Sequence, residues 1–260
     1  MFNEIPTAAE KWGFVTDTIG VHTSRTMMLA ELRLLLGACP ADAGFDQYRS
    51  AIQDDNVLLK DTVSTRRESV RRLRELYGLD PSILLFRALR DLWTDDDAAR
   101  PLLALLCAVN RDPTLRGTAE FILSMPFGEP VTPQMISAAA DRSFPERFNA
   151  MTLANIGRHA ASTWRQSGHL QGHVKKVRSQ AASQPASVAY ALLLSCLCGA
   201  RGEGLFQTGW ARLLDTPEHT LRTQTAVAAQ RGFLEYRHAG GVTEVTFRYL
   251  LRDIKVPAST

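Results

Sequence analysis

The chain has 260 residues, with 30 Lys and Arg against 27 Asp and Glu for a net charge of +3, and is 45% hydrophobic and 22% charged. This composition is globular and excludes a collagen-like, disordered or disulfide-scaffold chain. It also excludes a general polycation, so any affinity for nucleic acid must come from local clustering of charge.

The N-terminal "MFNEIPTAAEKWGF" has neither the basic start nor the apolar core of a secretory signal, and a cytoplasmic protein is expected. "TMMLAELRLLLG" (26–37) places apolar residues on successive helical turns and ends at a glycine, which predicts a capped helix. In "STRRESVRRLRELYGL", Thr65 and Glu68 have the spacing of a capping box, with Val70, Leu73, Leu76 and Tyr77 as the inward stripe. Glu68 and Glu75 can pair with Arg66, Arg67, Arg71, Arg72 and Arg74, so a salt-bridged solvent face is expected, with phosphate contact as the other reading. Segments 82–93, 101–110 and 113–124 repeat the helical pattern after Pro81, Pro101 and Pro113.

"MPFGEPVTP" reads as a boundary, followed by helices near 133–141 and across 150–167 and then by a short hairpin and a linker. The apolar run 187–200 falls short of the roughly 20 residues of a membrane span, and a buried helix is expected over 186–198. Helices over 205–214 and 217–231 follow, with Thr216 as the N-cap, Pro217 at the first helical position, and Leu221, Thr225 and Ala228 facing inward. "GFLEYR" and "VTEVTFRYL" alternate as strands around "HAGG", whose glycines suit a turn at positive φ. Three helices and a hairpin is the order of a winged helix-turn-helix, and "TLANIGRHAASTWRQSGHLQ" and "TLRTQTAVAAQRGFLEY" share a helix–glycine–strand plan. The expected fold is mainly α: an N-terminal helical domain (1–128), then one or two winged helix-turn-helix units (129–184 and 185–260).

Between Arg147 and Gly202 there are seven Lys or Arg and no Asp or Glu. On a wheel of about 100° per residue, Leu153, Ile156, Gly157, Ala160 and Trp164 share the core side of the helix in this stretch. Asn155, Arg158, Ser162, Arg165 and Gln166 take the opposite side, with His159 at its margin. Such side chains donate to phosphate oxygens, and Asn, Gln and Arg also read base edges. His169, His173, Lys175, Lys176 and Arg178 follow, in a segment expected to form the adjoining strand or wing. Each phosphate they neutralise adds counterion-release free energy. The plain alternative is a solvated helix face and a flexible linker. The last unit offers Arg222, Thr223, Arg237 and His238, and either DNA or protein is open as its partner.

Signals of chemistry are few. "GARGEG" lacks the preceding strand and the Lys-Ser/Thr of a phosphate loop, and "DDD" at 95–97 reads as acids before a helix start. The histidines stand in no recognisable nucleophile context, and Cys39, Cys107, Cys196 and Cys198 lack zinc spacing and are expected to be buried reduced thiols. No catalytic residue, cofactor or metal is expected.

"DNVLLKDTVSTRRESVRRL", "PLLALLCAVNRDPTLRGTAEFIL" and "TLANIGRHAASTWRQSGHL" resemble, in order and approximate spacing, the BrxA proteins of bacterial BREX phage-defence systems, over about residues 20–180. The resemblance implies a largely helical, non-enzymatic protein that binds duplex DNA beside other defence components. Residues 186–250 lie beyond the matched part. An adaptor that docks other defence proteins, with the basic segment on an acidic partner, is the alternative from another class. RNA binding ranks below both, since no aromatic stacking platform is visible.

Overall fold

Apolar residues at helical spacing make the chain mainly helical, with two small antiparallel hairpins among the described residues. The computed structural model describes residues 5–17 and 20–252. The outermost parts of the first and third expected domains, and part of the N-terminal stretch read for a signal, lie outside the described residues.

The N-terminal region holds α1 (Leu29–Ala38), α2 (Phe45–Gln53), α3 (Val63–Tyr77), α4 (Leu84–Leu92), α5 (Arg100–Arg111), α6 (Pro113–Arg116) and α7 (Ala119–Ser124). Helix α1 starts later than expected because Met28 adopts a left-handed backbone at φ 53°. The cap of α3 is Thr62 rather than Thr65: its hydroxyl accepts from the Thr65 amide at 3.1 Å. Glu68 is thereby left to bind Arg71 and Arg72, each at 2.7 Å. The helix expected over 113–124 breaks where the buried Thr118 hydroxyl donates to the Leu115 carbonyl at 2.7 Å.

In the middle region the backbone of 128–131 runs antiparallel to β2 (Val177–Arg178): the Arg178 amide donates to Glu129 O at 2.8 Å and the Val131 amide to Lys176 O at 2.9 Å. On its other edge β2 pairs with β1 (Leu170–Gln171), Leu170 opposite Arg178. Helices α8 (Pro133–Ser143) and α9 (Ala150–Gln166) lie between, capped by Thr132 and Asn149. They pack closely at Gly157, where a Cβ would stand 2.2 Å from the Pro133 carbonyl oxygen.

The C-terminal region comprises α10 (Pro185–Leu197), a 3-10 turn (Gly202–Gln207), α11 (Gly209–Arg212), α12 (Glu218–Gln230), β3 (Glu235–Ala239) and β4 (Val242–Thr246). The helix expected over 205–214 is interrupted at Thr208, which caps α11. Thr216 does not cap α12: its hydroxyl turns back to the Leu214 carbonyl at 2.8 Å, and Pro217 takes the cap position. Gly240 and Gly241 close the β3–β4 turn at φ 58° and 77°, as the sequence predicts. Helices α9 and α12, of 17 and 13 residues, both turn into strands through a glycine at positive φ, Gly168 and Gly232.

Buried apolar side chains form one continuous cluster from Ala9 to Leu250. Helix α10 is its centre, and the Tyr190 hydroxyl donates to the Leu85 carbonyl at 2.9 Å. The cluster continues past residues 128 and 184. The segment expected to be a linker is pinned: Ser183 bonds the Thr216 hydroxyl at 2.7 Å and Gln224 at 2.9 Å.

Candidate nucleic-acid interface

Helix α9 buries Ile156, Gly157, Ala160 and Trp164, as its wheel predicts, leaves Leu153 only half-buried, and also buries Ala161 and Thr163. The extra burial comes from residues 20–29, which lie along one flank of its polar side. Thr163 Oγ1 accepts from the Met27 amide at 2.9 Å, Gln166 Oε1 from the Leu29 amide at 3.3 Å, and His159 Nδ1–H donates to the His22 carbonyl at 3.0 Å. Gln166 Oε1 and His159 Nδ1 are thus taken up by the protein itself, and burial of His159 lowers its pKa.

A narrower stripe keeps some contact with solvent: Arg158 is exposed, and Asn155, Ser162 and Arg165, at successive helical turns, are half-buried. Arg158 is exposed and donates to Asn155 Oδ1; among the described residues neither it nor Arg165 meets a carboxylate. At the end of α9 the β1–β2 turn carries exposed His173 and Lys175, and Lys176, whose ammonium donates to the His173 carbonyl at 2.9 Å.

Arg178, expected on the wing's surface, is instead buried. It forms a forked ion pair with Asp215, at 2.8 and 2.7 Å, and donates to the His169 carbonyl at 3.2 Å. The chain's acid-free stretch meets an acid from beyond its end, which residue spacing alone does not show. His169, named beside it, is also buried: Nε2–H donates to the Leu213 carbonyl at 3.0 Å and Nδ1 accepts from the Ser167 hydroxyl at 2.8 Å. Desolvation lowers its pKa to about 4.

The other expected contacts lie on the C-terminal hairpin unit. Arg222 is neutralised by Glu203 and by Glu218 at 2.7 Å, and stacks on Phe206 at 4.9 Å. These two acids hold its pKa above the usual arginine value. Thr223 is exposed, with its hydroxyl on the His219 carbonyl at 3.1 Å, and Arg237 is exposed on β3 without an acidic partner among the described residues. One cation that sequence reasoning missed is Arg25. It lies close enough to His159 to oppose that ring's protonation, as Arg158 does, and with Arg67 and Arg71 it lines an open depression of about 630 Å³ at the start of α3. No local pattern joins Arg25 to α9; only the packing of 20–29 does.

Asp112, His22 and Thr163 form a chain in the order acid, imidazole, hydroxyl: His22 Nδ1–H donates to Asp112 Oδ2 at 2.7 Å, and Nε2 lies 2.7 Å from Thr163 Oγ1. All three residues are fully buried, and the Thr163 oxygen already accepts from Met27. The chain fastens 20–29 between α9 and the start of α6. Each carboxylate of the "DDD" run is engaged locally or structurally, Asp95 with Arg231 and Asp97 with Arg100 at 2.6 Å each, and Asp96 with the Ala98 amide at 2.8 Å. No group of His, Cys, Asp and Glu placed to hold a metal occurs among the described residues, and none of their helices is long and apolar enough to cross a membrane. No protein-family model matches the chain, and no curated protein matches it.

Proposed function

We propose that the chain is a non-enzymatic DNA-binding protein of a BREX-like phage-defence system, holding duplex DNA with the α9 stripe and the β1–β2 turn. Two helices rather than three, α8 and α9, precede the β1–β2 hairpin, and 128–131 lies on the outer edge of β2; a helix followed by a hairpin in this way supports a helix-turn-helix with a wing. In that reading α9 is the recognition helix and His173, Lys175 and Lys176 form the wing. The observation that carries it is the pair Arg158, exposed, and Arg165, half-buried, on one stripe with no carboxylate partner among the described residues. Arginines so placed gain from phosphate oxygens what internal ion pairs do not supply. The BrxA resemblance of residues 20–180 supports the same reading and the same cellular setting. A gel-shift titration of a duplex at several salt concentrations tests it, and binding that ignores salt would overturn it.

A second reading is an adaptor for other defence proteins, in which the exposed β1–β2 turn with Lys175 and Lys176 grips an acidic partner. A chain that binds no nucleic acid yet forms a stable complex with one defence component would select it.

A further inference from the structure

A second cationic feature lies away from the α9 stripe. On α4, Arg87 and Arg90 are one turn apart and line a pocket of about 350 Å³ with Phe86, Asp42, Asp91 and Arg252. Arg90 is only 6% exposed. One nitrogen of its guanidinium donates to the Cys39 carbonyl at 2.6 Å, while its buried Nε–H has no partner. Arg87 repeats the arrangement, with one nitrogen on the Arg252 carbonyl at 3.0 Å and a buried Nε–H without a partner. Among the described residues neither guanidinium reaches a carboxylate within ion-pair distance.

Two buried or half-buried cations that no carboxylate pairs among the described residues are costly to fold, because desolvation is not repaid by a close ion pair. The two acids of the pocket do not repay it. Asp91 binds Arg252 through both its oxygens, at 2.6 and 2.9 Å, and Asp42 stands exposed without pairing either α4 arginine. An entering dianion would meet the two α4 guanidinium groups that line the pocket, whose charges no carboxylate pairs among the described residues. A tetrahedral phosphate matches this better than a single carboxylate, having twice the charge and more acceptor oxygens. The volume exceeds that of phosphate alone and leaves room for an organic substituent. We infer that this pocket binds a phosphate monoester or free phosphate, with Arg87 and Arg90 as its donors. The site is independent of the DNA reading of α9.

The test is isothermal titration of the full chain with inorganic phosphate and with AMP, at constant ionic strength in chloride. Saturable one-site binding is expected, weakened about tenfold or more by Arg87→Gln, whose side chain lies at the pocket edge. Arg90→Met should abolish binding; if that variant does not fold, by circular dichroism, Arg87→Gln decides alone. No saturable binding of either probe, or equal affinity in Arg87→Gln and the parent chain, overturns the site. Competition with a duplex bearing 5′-phosphates, against the same duplex with 5′-hydroxyls, identifies the source. Displacement by the phosphorylated ends alone assigns a DNA terminus, and displacement by neither assigns a free phosphate compound; both outcomes support the site.

Discussion

Arg178 and Asp215 close a forked ion pair, 2.8 and 2.7 Å, that ties the β1–β2 hairpin to the segment entering α12. Asp215 also accepts from the Ala181 amide at 3.1 Å, so the carboxylate is shared between a side chain and the backbone between β2 and α10. Removing one partner of a buried pair leaves the other uncompensated. Arg178→Ala is therefore expected to lower stability by about 3–5 kcal/mol, measured by urea denaturation. A loss below about 1 kcal/mol, the range of an exposed pair, would contradict the buried clamp.

Phosphate contact should follow accessibility and free charge, which separates two groups of arginines. Arg158→Glu and Arg165→Glu should weaken duplex binding uniformly across sequences and each reduce the salt slope by about one. Lys175→Glu should do the same if the turn is the wing. Arg222→Gln removes a cation already neutralised by Glu203 and Glu218, and should leave affinity and slope unchanged. Affinities measured between low and moderate salt decide. A slope unmoved by Arg158→Glu would remove α9 from the interface.

Helix positions and the inward stripes were legible because burial imposes a 3.6-residue period: Val70, Leu73, Leu76 and Tyr77 are all buried, as are Leu221, Thr225 and Ala228. Helix boundaries were less so, since Thr62 and Thr65 are both competent caps and only the path of the chain selects Thr62. Helix α2 passes unnoticed because its inward residues are few, Tyr48, Ala51 and Ile52, amid polar ones. At the candidate site the period located the polar side of α9 but could not show that residues 20–29 cover one flank of it, through Gln166, His159 and Thr163. Composition likewise counted Arg178 as a surface charge, because its partner Asp215 lies outside the acid-free run. Long-range packing decides both.

Gly157 illustrates a residue whose role is steric rather than conformational. Alanine normally favours a helix interior over glycine by about 1 kcal/mol. Here a Cβ would stand 2.2 Å from the Pro133 carbonyl oxygen and 2.3 Å from Ser137 Oγ, and that hydroxyl bonds the Pro133 and Leu153 carbonyls. Gly157→Ala should therefore destabilise by about 1–3 kcal/mol through forced separation of α8 and α9. Thermal denaturation showing a gain would mean that the two helices part without cost.

His169 makes stability depend on pH in a defined window. Its ring is buried edge-on against Trp164 at 5.0 Å and neutral, with Nε2–H on Leu213 O and Nδ1 facing Ser167. Burial is the main cause of its lowered pKa, Arg178 adds to it, and Asp215 opposes both. Unfolded, the ring returns to 6.5, while folded it titrates at about 4. Between these values the unfolded chain binds a proton that the folded chain does not, so stability falls as the pH falls from 6.5 towards 4 and is insensitive to this group above 6.5. From pH 7 to pH 5 the expected loss is about 2 kcal/mol. His169→Gln keeps a donor for Leu213 but cannot titrate. Urea denaturation of both chains at the two pH values should show the parent losing about 2 kcal/mol more than the variant, after their difference at pH 7 is subtracted. Equal losses would place the proton uptake elsewhere, with His159 as the next candidate because its pKa is lowered by the same cause.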